Sequence, residues 1–161
     1  MKNVLILFFI FSASIYDINA QVIHQNRHSL GVSLGMSHAF GMSYQYLGER
    51  TGIHTSLTPF VDLNDEYSFV AFSIGPMLHL LDSPQARYFL YESNGFVVNH
   101  YANKSDIVFM PAIGAGSKIW LNDNLTFDVA LGIGILFGNE ESGFPDYIML
   151  PDVNLGFYYS F

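Results

Sequence analysis

Apolar and polar side chains alternate along most of the chain after residue 27, and the alternation is clearest between Leu125 and Phe137. Every second residue of that segment is Leu, Phe, Val or Ile, whereas the residues between them are mostly small or polar. Segments 30–36 and 70–80 repeat the pattern. Successive side chains of a β-strand point to opposite faces, so this period of two predicts strands with one apolar face.

Short polar segments separate the alternating ones, namely 48–52, 82–85 and 122–124, and their Gly, Pro, Asn and Asp residues are typical of tight turns. Longer connections fall between them. We therefore predict eight strands, which span residues 28–37, 42–47, 53–61, 67–80, 86–100, 107–120, 125–137 and 153–161. The longer connections are then 38–41, 62–66, 101–106 and 139–151.

The fifth predicted strand contains Asn94-Gly95, which is a strong hairpin signal. Splitting the strand there would leave two pieces of about seven residues, and a tilted strand needs about 9–11 to cross a membrane. We therefore predict one continuous strand with a bulge near residues 92–95.

The face opposite the apolar one decides which side of the sheet is inside. On the first, fourth and seventh strands that face is rich in Gly, Ala and Ser and carries little charge. A solvent-facing surface would favour charged residues, whereas the interior of a narrow eight-stranded barrel has room mainly for small side chains. We therefore predict small residues inside and large apolar residues outside. Aromatic residues near the strand ends are candidates for interfacial belts: Tyr44, Tyr46, Tyr67, Tyr88, Trp120, Phe137, Tyr159 and Phe161.

Composition supports an outward apolar face, because charged residues make up 12% of the chain and aromatic residues 16%. A soluble domain usually has about a quarter charged residues. The net charge of −8 makes nucleic acid an unfavourable partner. No cysteine is present, which excludes disulfides and thiolate metal sites. We expect neither a cofactor nor a metal ion.

The first twenty residues have the character of a secretory signal peptide. Lys2 precedes an almost wholly apolar segment at residues 4–15, and Ala20 offers a small residue for cleavage. The apolar segment is shorter than the roughly 20 residues that a membrane-spanning helix needs. We predict a signal peptide at residues 1–20 and one domain at residues 21–161.

Inward charges are expected to pair within the barrel. If residues 122–124 form the loop, Lys118 lies directly opposite Asp128 and both point inward. Charge in such an interior must be paired or hydrogen-bonded, so we predict a lumen salt bridge between them. Arg87 and Glu92 are candidates to extend it.

The last eight residues carry a recognisable pattern, with a polar residue at Asn154, glycine at Gly156 and aromatic residues at Tyr159 and Phe161. This pattern resembles the C-terminal assembly signal of outer-membrane β-barrel proteins. The alternation over residues 21–161 resembles the small eight-stranded barrels typified by outer membrane protein X and the membrane domain of outer membrane protein A. We expect Phe161 to share an outward face with Leu155, Phe157 and Tyr159, beside Leu30, Val32 and Leu34 of the first strand.

The resemblance implies an all-β, up-and-down antiparallel eight-stranded transmembrane β-barrel that is integral to a bacterial outer membrane, with both termini in the periplasm. It also implies contact with outer-membrane lipid and lipopolysaccharide, insertion by the barrel assembly machinery, and a monomer. The expected role is structural or surface-interacting, without catalysis.

Two other functions remain open on the sequence. His54 and Ser56 share a strand face, and a His beside a Ser can activate the hydroxyl as a nucleophile. This His-x-Ser resembles the site of the outer-membrane lipid A deacylase family, which implies acyl hydrolysis by His54 and Ser56. Leu57 stands where that family has Asn, and no carboxylate is placed beside the pair. The other alternative is a small pore, or a barrel that binds an apolar ligand.

Overall fold

The chain folds into a closed antiparallel barrel. The computed structural model describes residues 27–37, 40–62, 67–101, 104–137 and 147–161. The strands are β1 (His28–Gly35), β2 (Gly41–Leu47), β3 (Thr51–Asp62), β4 (Tyr67–Asp82), β5 (Ala86–Tyr101), β6 (Lys104–Trp120), β7 (Leu125–Leu136) and β8 (Ile148–Ser160). Each strand pairs with the next, and β8 pairs with β1. The predicted eight-stranded up-and-down barrel is confirmed. In the described ranges, no helix has the length and apolar character to span a membrane.

Two strands begin at least three residues earlier than the sequence predicts. β6 starts at Lys104 instead of 107, and β8 starts at Ile148 instead of 153. Pro and Asp are common in loops. The sequence prediction therefore began the strand after Pro151 and Asp152. In the structure Pro151 pairs with Ile133 of β7 and points outward, while Asp152 points into the lumen. The alternation therefore continues through both residues.

β5 is continuous through Asn94-Gly95, which pair with Ile74 and Ser73 of β4. The predicted bulge near residues 92–95 is wrong, because the register of the β4–β5 pair shifts between His79 and Leu81 instead. Gly95 serves close packing rather than a turn. A Cβ atom at Gly95 would lie 2.8 Å from the backbone oxygen of Ser37, so a larger residue would collide with the backbone at this point.

The direction of the side chains agrees with the sequence prediction. Large apolar residues cover the outside, as shown by Leu131 and Phe161, which are 62% and 55% exposed. Polar residues fill the inside. β8 closes against β1 with Leu30 opposite Tyr159, and the pairs Val32–Phe157 and Leu34–Leu155 follow. The predicted neighbours of the C-terminal apolar face are thereby confirmed.

Aromatic residues form a belt at each end of the outer wall. The belt at the end with the short turns contains Tyr46, Tyr88, Tyr159 and Phe161, and the belt at the other end contains Phe40, Phe96, Phe109, Phe137 and Tyr147. In the second belt the ring centroids of Phe96 and Phe109 lie 4.8 Å apart. A strand rises about 3.3 Å per residue and tilts by about 40°, so the outward residues of β7, from Leu125 to Ile135, span roughly 25 Å along the barrel axis.

Trp120 was predicted to lie in a belt, and this prediction is wrong. Its side chain packs against an interior cluster that includes Leu47, Met77 and Phe89. Trp120 and Lys118 are two residues apart on β6, so period two places both on the inward face. The side chain of Tyr67 lies outside the described residues.

Candidate functional site

The barrel lumen holds the chemically capable side chains. Many buried polar residues point into it. They are Ser29, Ser33, Ser37, Ser43, Gln45, His54, Ser56, Ser73, His79, Arg87, Ser93, Lys118, Thr126, Asp128, Asp152, Asn154 and Ser160. Several of these residues form three hydrogen-bonded groups, and each group joins strands that lie apart in the sequence.

The first group is built on Lys118 and Asp128, which are direct partners across β6 and β7. Lys118 Nζ lies 2.9 Å from Asp128 Oδ1, which places the two predicted partners in contact. Gln45 of β2 bridges them from the opposite wall, because its Oε1 accepts from Lys118 Nζ at 2.6 Å and its Nε2 donates to Asp128 Oδ2 at 2.8 Å. Lys118 Nζ also lies 4.7 Å from the centre of the Tyr158 ring, a cation–π geometry.

The β6–β7 turn sets the register that brings Lys118 and Asp128 together. The Asn122 side-chain oxygen accepts hydrogen bonds from the backbone N–H groups of Asn124 and Leu125, at 2.9 and 2.8 Å. Asn side chains commonly close turns in this way. The turn thereby fixes which inward residues of β6 and β7 face each other.

The second group is built on Arg87, which does not extend the Lys118–Asp128 pair as predicted. Arg87 forms a two-pronged ion pair with Asp82 through hydrogen bonds of 2.7 and 2.6 Å, and its Nη1 lies 3.4 Å from His79 Nδ1. Glu92 points outward, away from the lumen. The two positions are five residues apart on one strand, so period two places them on opposite faces.

The third group surrounds Asp152, which lies just before the predicted start of the eighth strand at residue 153. Its carboxylate accepts from the Ser37 N–H at 3.0 Å, the Ser37 hydroxyl at 2.7 Å, the Tyr91 hydroxyl at 2.6 Å and the Asn154 amide at 2.7 Å. Asp152 and Asn154 are two residues apart on β8, so both side chains point inward. This period of two is the sequence signal that could have placed Asp152 in the lumen. The group ties the end of β1 to β5 and β8.

His54 and Ser56 both point inward, and they are 1% and 2% exposed. Each has a separate hydroxyl partner: His54 Nε2 lies 3.4 Å from Ser93 Oγ, and Ser56 Oγ lies 2.7 Å from Ser73 Oγ. Ile53 faces the outside, where a lipid chain would lie. An acyl chain on that side cannot reach either candidate residue through the wall, so the geometry does not support acyl hydrolysis.

A small cavity lies within the lumen. It has a volume of about 10 Å³ and lies among Gln45, His54, Tyr91, Asp128 and Tyr158, together with neighbouring residues. That volume is close to the minimum for a single water molecule. This part of the lumen therefore lacks the open channel that a pore requires.

The C-terminal residues occupy both faces of β8. Asn154 and Gly156 point inward, and Tyr159 and Phe161 point outward. A Cβ atom on Gly156 would lie 2.3 Å from the Tyr158 ring, so glycine makes room for that ring. The Phe161 N–H donates to the His28 carbonyl at 2.8 Å, and the two rings stack with centroids 6.0 Å apart.

Other predicted features fall partly or wholly outside the described residues. They are the signal peptide at 1–20 and the acidic connections at 62–66 and 139–151, of which only the strand ends are described. In the ranges that the structure does describe, no group of three or more His, Asp or Glu side chains is arranged to hold a metal ion.

Comparison with known proteins identifies the fold. No protein-family model matches the sequence, and no curated protein matches it. The N-terminal β-barrel domain of Pseudomonas aeruginosa OprF superposes with a TM-score of 0.52 at 19% identity, over 84% of this chain and 98% of that chain. The fold is that of a small eight-stranded outer-membrane barrel.

Two structures of Ail, the attachment invasion locus protein of Yersinia pestis, are also similar to this chain, each at 16% identity over 84% of this chain and 97% of the other. Their TM-scores are 0.42 for the protein itself and 0.45 for its complex with the heparin analogue sucrose octasulfate.

Proposed function

We propose that this barrel is an integral protein of a bacterial outer membrane with a structural or surface-interacting role and no catalytic activity. The proposal rests on the distribution of side chains, which is the reverse of that in a soluble protein. Ionic and polar groups fill the lumen, whereas the outer wall exposes residues such as Leu131, Ile133 and Phe157 to the surroundings.

The outer wall is suited to hydrocarbon and poorly suited to water. Contiguous exposed apolar surface of this extent is rare on soluble monomers and marks contact with a membrane or a partner. The outward residues of β7 span roughly 25 Å, which matches the apolar band of about 25 Å that outer-membrane barrels present. A closed barrel also pairs its backbone N–H and C=O groups between strands, as a lipid environment requires.

The lengths of the connections indicate which end of the barrel lies in the periplasm. The short turns at 48–50, 83–85 and 121–124 lie at the same end as the start of β1 and the end of β8. Outer-membrane barrels have short turns in the periplasm and longer loops outside the cell. Both ends of the barrel domain therefore lie in the periplasm in our proposal. In the same proposal, the longer β3–β4 and β7–β8 connections face the exterior. Their sequences contain Asp65, Glu66, Glu140, Glu141 and Asp146.

The proposed partners follow from this placement. Outer-membrane lipid and lipopolysaccharide contact the apolar wall, and the barrel assembly machinery recognises the pattern of Asn154, Gly156, Tyr159 and Phe161. The lumen groups tie the strands together and leave the surface loops to interact with other molecules. Nucleic acid is not a partner in this proposal, because the chain carries a net charge of −8.

Placing arginine on the outer wall tests this function directly. Leu131 lies in the middle of β7 and is 62% exposed, and Leu121 lies in the β6–β7 turn and is 54% exposed. We expect Leu131→Arg to lower the free energy of unfolding by about 2–4 kcal/mol in lipid, because it places a charge in the hydrocarbon, and Leu121→Arg to change it by about 1 kcal/mol or less.

Urea titration in lipid vesicles, with the folded fraction determined from gel mobility, gives both values. In a water-soluble barrel, two equally exposed leucines would tolerate arginine equally. Equal stabilities of the two variants would therefore contradict the membrane placement.

A further inference from the structure

The outer wall carries one polar pair between the aromatic belts. On β5, Glu92 and Asn94 both point outward, since Tyr91 and Ser93 beside them are buried in the lumen. Asn94 Nδ2 donates to Glu92 Oε1 at 3.1 Å. Glu92 stands midway between Tyr88 and Phe96 of the two belts. Within the described strands it is the one carboxylate on the wall between those belts.

Proline flanks this pair on both neighbouring strands. Pro111 of β6 is the direct partner of Asn94. On β4, the ladder with β5 pairs Ile74 with Asn94 and Met77 with Tyr91, and Gly75 and Pro76 lie between these two pairs. Proline has no backbone N–H to give to an adjacent strand. The Glu92 carboxyl group and the Asn94 carboxamide oxygen are themselves hydrogen-bond acceptors on this part of the wall.

Such a group in hydrocarbon requires hydrogen-bond donors. Polar side chains exposed to lipid are costly, and in membrane proteins they usually pair with one another or face a partner. Among the described contacts, the Glu92 carboxyl group receives only the Asn94 bond, and the Asn94 carboxamide retains a second N–H and its oxygen. No Lys or Arg of the described strands lies beside them on the wall.

We propose that Glu92 and Asn94 form the centre of an interface between two copies of this chain in the membrane. The pair is complementary to itself, because each carboxamide can donate to the carboxyl group or the amide oxygen of the other copy. A two-fold axis along the membrane normal brings identical wall residues together at the same depth. The outward residues Ala115 and Ser117 of β6 have small side chains. Small residues allow membrane-embedded elements to approach each other closely, so a second copy can pack against this part of the wall.

This interface rests on the proposed membrane placement and replaces the expectation of a monomer. The rest of the wall, as far as the structure describes its side chains, offers no comparable pair. β7 and β8 present large apolar residues outward throughout the band, among them Leu131, Ile133 and Phe157. Dimerisation is therefore directed to the β4–β6 side of the barrel and leaves β1 facing lipid.

Cysteine cross-linking tests the interface, since the chain contains no native cysteine. Ile113 lies directly across from Glu92 on β6 and is 56% exposed. Val32 is 55% exposed on β1, on the opposite wall, and is the matched control. Outer-membrane vesicles that contain Ile113→Cys or Val32→Cys are oxidised with copper phenanthroline, and disulfide-linked dimer is measured in the heat-modifiable protein. We expect at least ten times more dimer with Ile113→Cys.

A second test changes Glu92 and Asn94 themselves. In the Ile113→Cys protein, Glu92→Leu with Asn94→Leu is expected to lower cross-linking at least tenfold, whereas Glu92→Gln keeps donors and acceptors and retains it. Equal cross-linking at positions 113 and 32, or no loss in the double leucine variant, overturns the interface. A folded monomer in the outer membrane overturns the interface alone, whereas absence from that membrane overturns the proposed function as well.

Discussion

Replacing Lys118 with methionine is expected to lower the free energy of unfolding by about 3–5 kcal/mol, because it leaves a carboxylate buried without its cation. Asp128 is 6% exposed and would keep only the bond from Gln45 Nε2. The Gln45 Oε1 atom would also lose its donor, which now lies 2.6 Å away. Urea titration of the purified barrel, with the folded fraction determined from gel mobility, measures this loss.

The matched control removes both charges. Lys118→Met combined with Asp128→Leu fills the space with apolar side chains of similar size, and well-packed apolar replacements of a buried pair are often neutral. We expect the double variant to recover most of the lost stability. A single Lys118→Met variant as stable as the original protein would show that the pair does not hold β6 to β7.

Replacing Asp152 with alanine is expected to have the second large effect, a loss of about 3 kcal/mol or more. The carboxylate accepts four hydrogen bonds, from the Ser37 N–H, the Ser37 hydroxyl, the Tyr91 hydroxyl and the Asn154 amide. A buried donor without a partner costs about 1–3 kcal/mol. Part of this cost is relieved where a water molecule enters the space left by the carboxylate.

Two variants show whether the loss belongs to this group. Tyr91→Phe removes one of the donors together with its hydroxyl, so we expect a smaller loss of about 1 kcal/mol. Asp123→Ala removes an exposed carboxylate in the β6–β7 turn, and we expect a change within about 0.5 kcal/mol. The same urea titration serves for all three proteins. Equal effects of Asp152→Ala and Asp123→Ala would contradict a structural role for the Asp152 group.

The strands and their faces could be predicted because one physical rule governs them. Alternation in β7 places Leu131 outside and Asp128 inside without any knowledge of the neighbouring strands. The small residues opposite the apolar face then distinguish a membrane barrel from a soluble one. The register of β6 against β7 followed from the length of the turn between them, so Lys118 could be placed opposite Asp128.

The remaining lumen contacts depend on several strands at once, and this is why sequence reasoning missed them. Gln45 reaches Lys118 and Asp128 across the barrel, and Asp152 joins Ser37 and Tyr91 from strands distant in sequence. No local pattern encodes which inward residues meet across a closed ring. A local turn signal also misled the prediction at Pro151-Asp152, which lies inside β8 because the surrounding sheet overrides its turn preference. Asn94-Gly95 lies inside a continuous β5, as predicted, but without the predicted bulge.

Cell fractionation combined with gel mobility tests the membrane placement most directly. Membranes of cells that produce the protein are separated, washed with urea to remove peripheral proteins, and analysed on denaturing gels with and without boiling. A folded barrel in the outer membrane predicts a urea-resistant band in the outer-membrane fraction that migrates differently once it is boiled. A protein recovered in the soluble periplasmic fraction, with the same mobility before and after boiling, would contradict it.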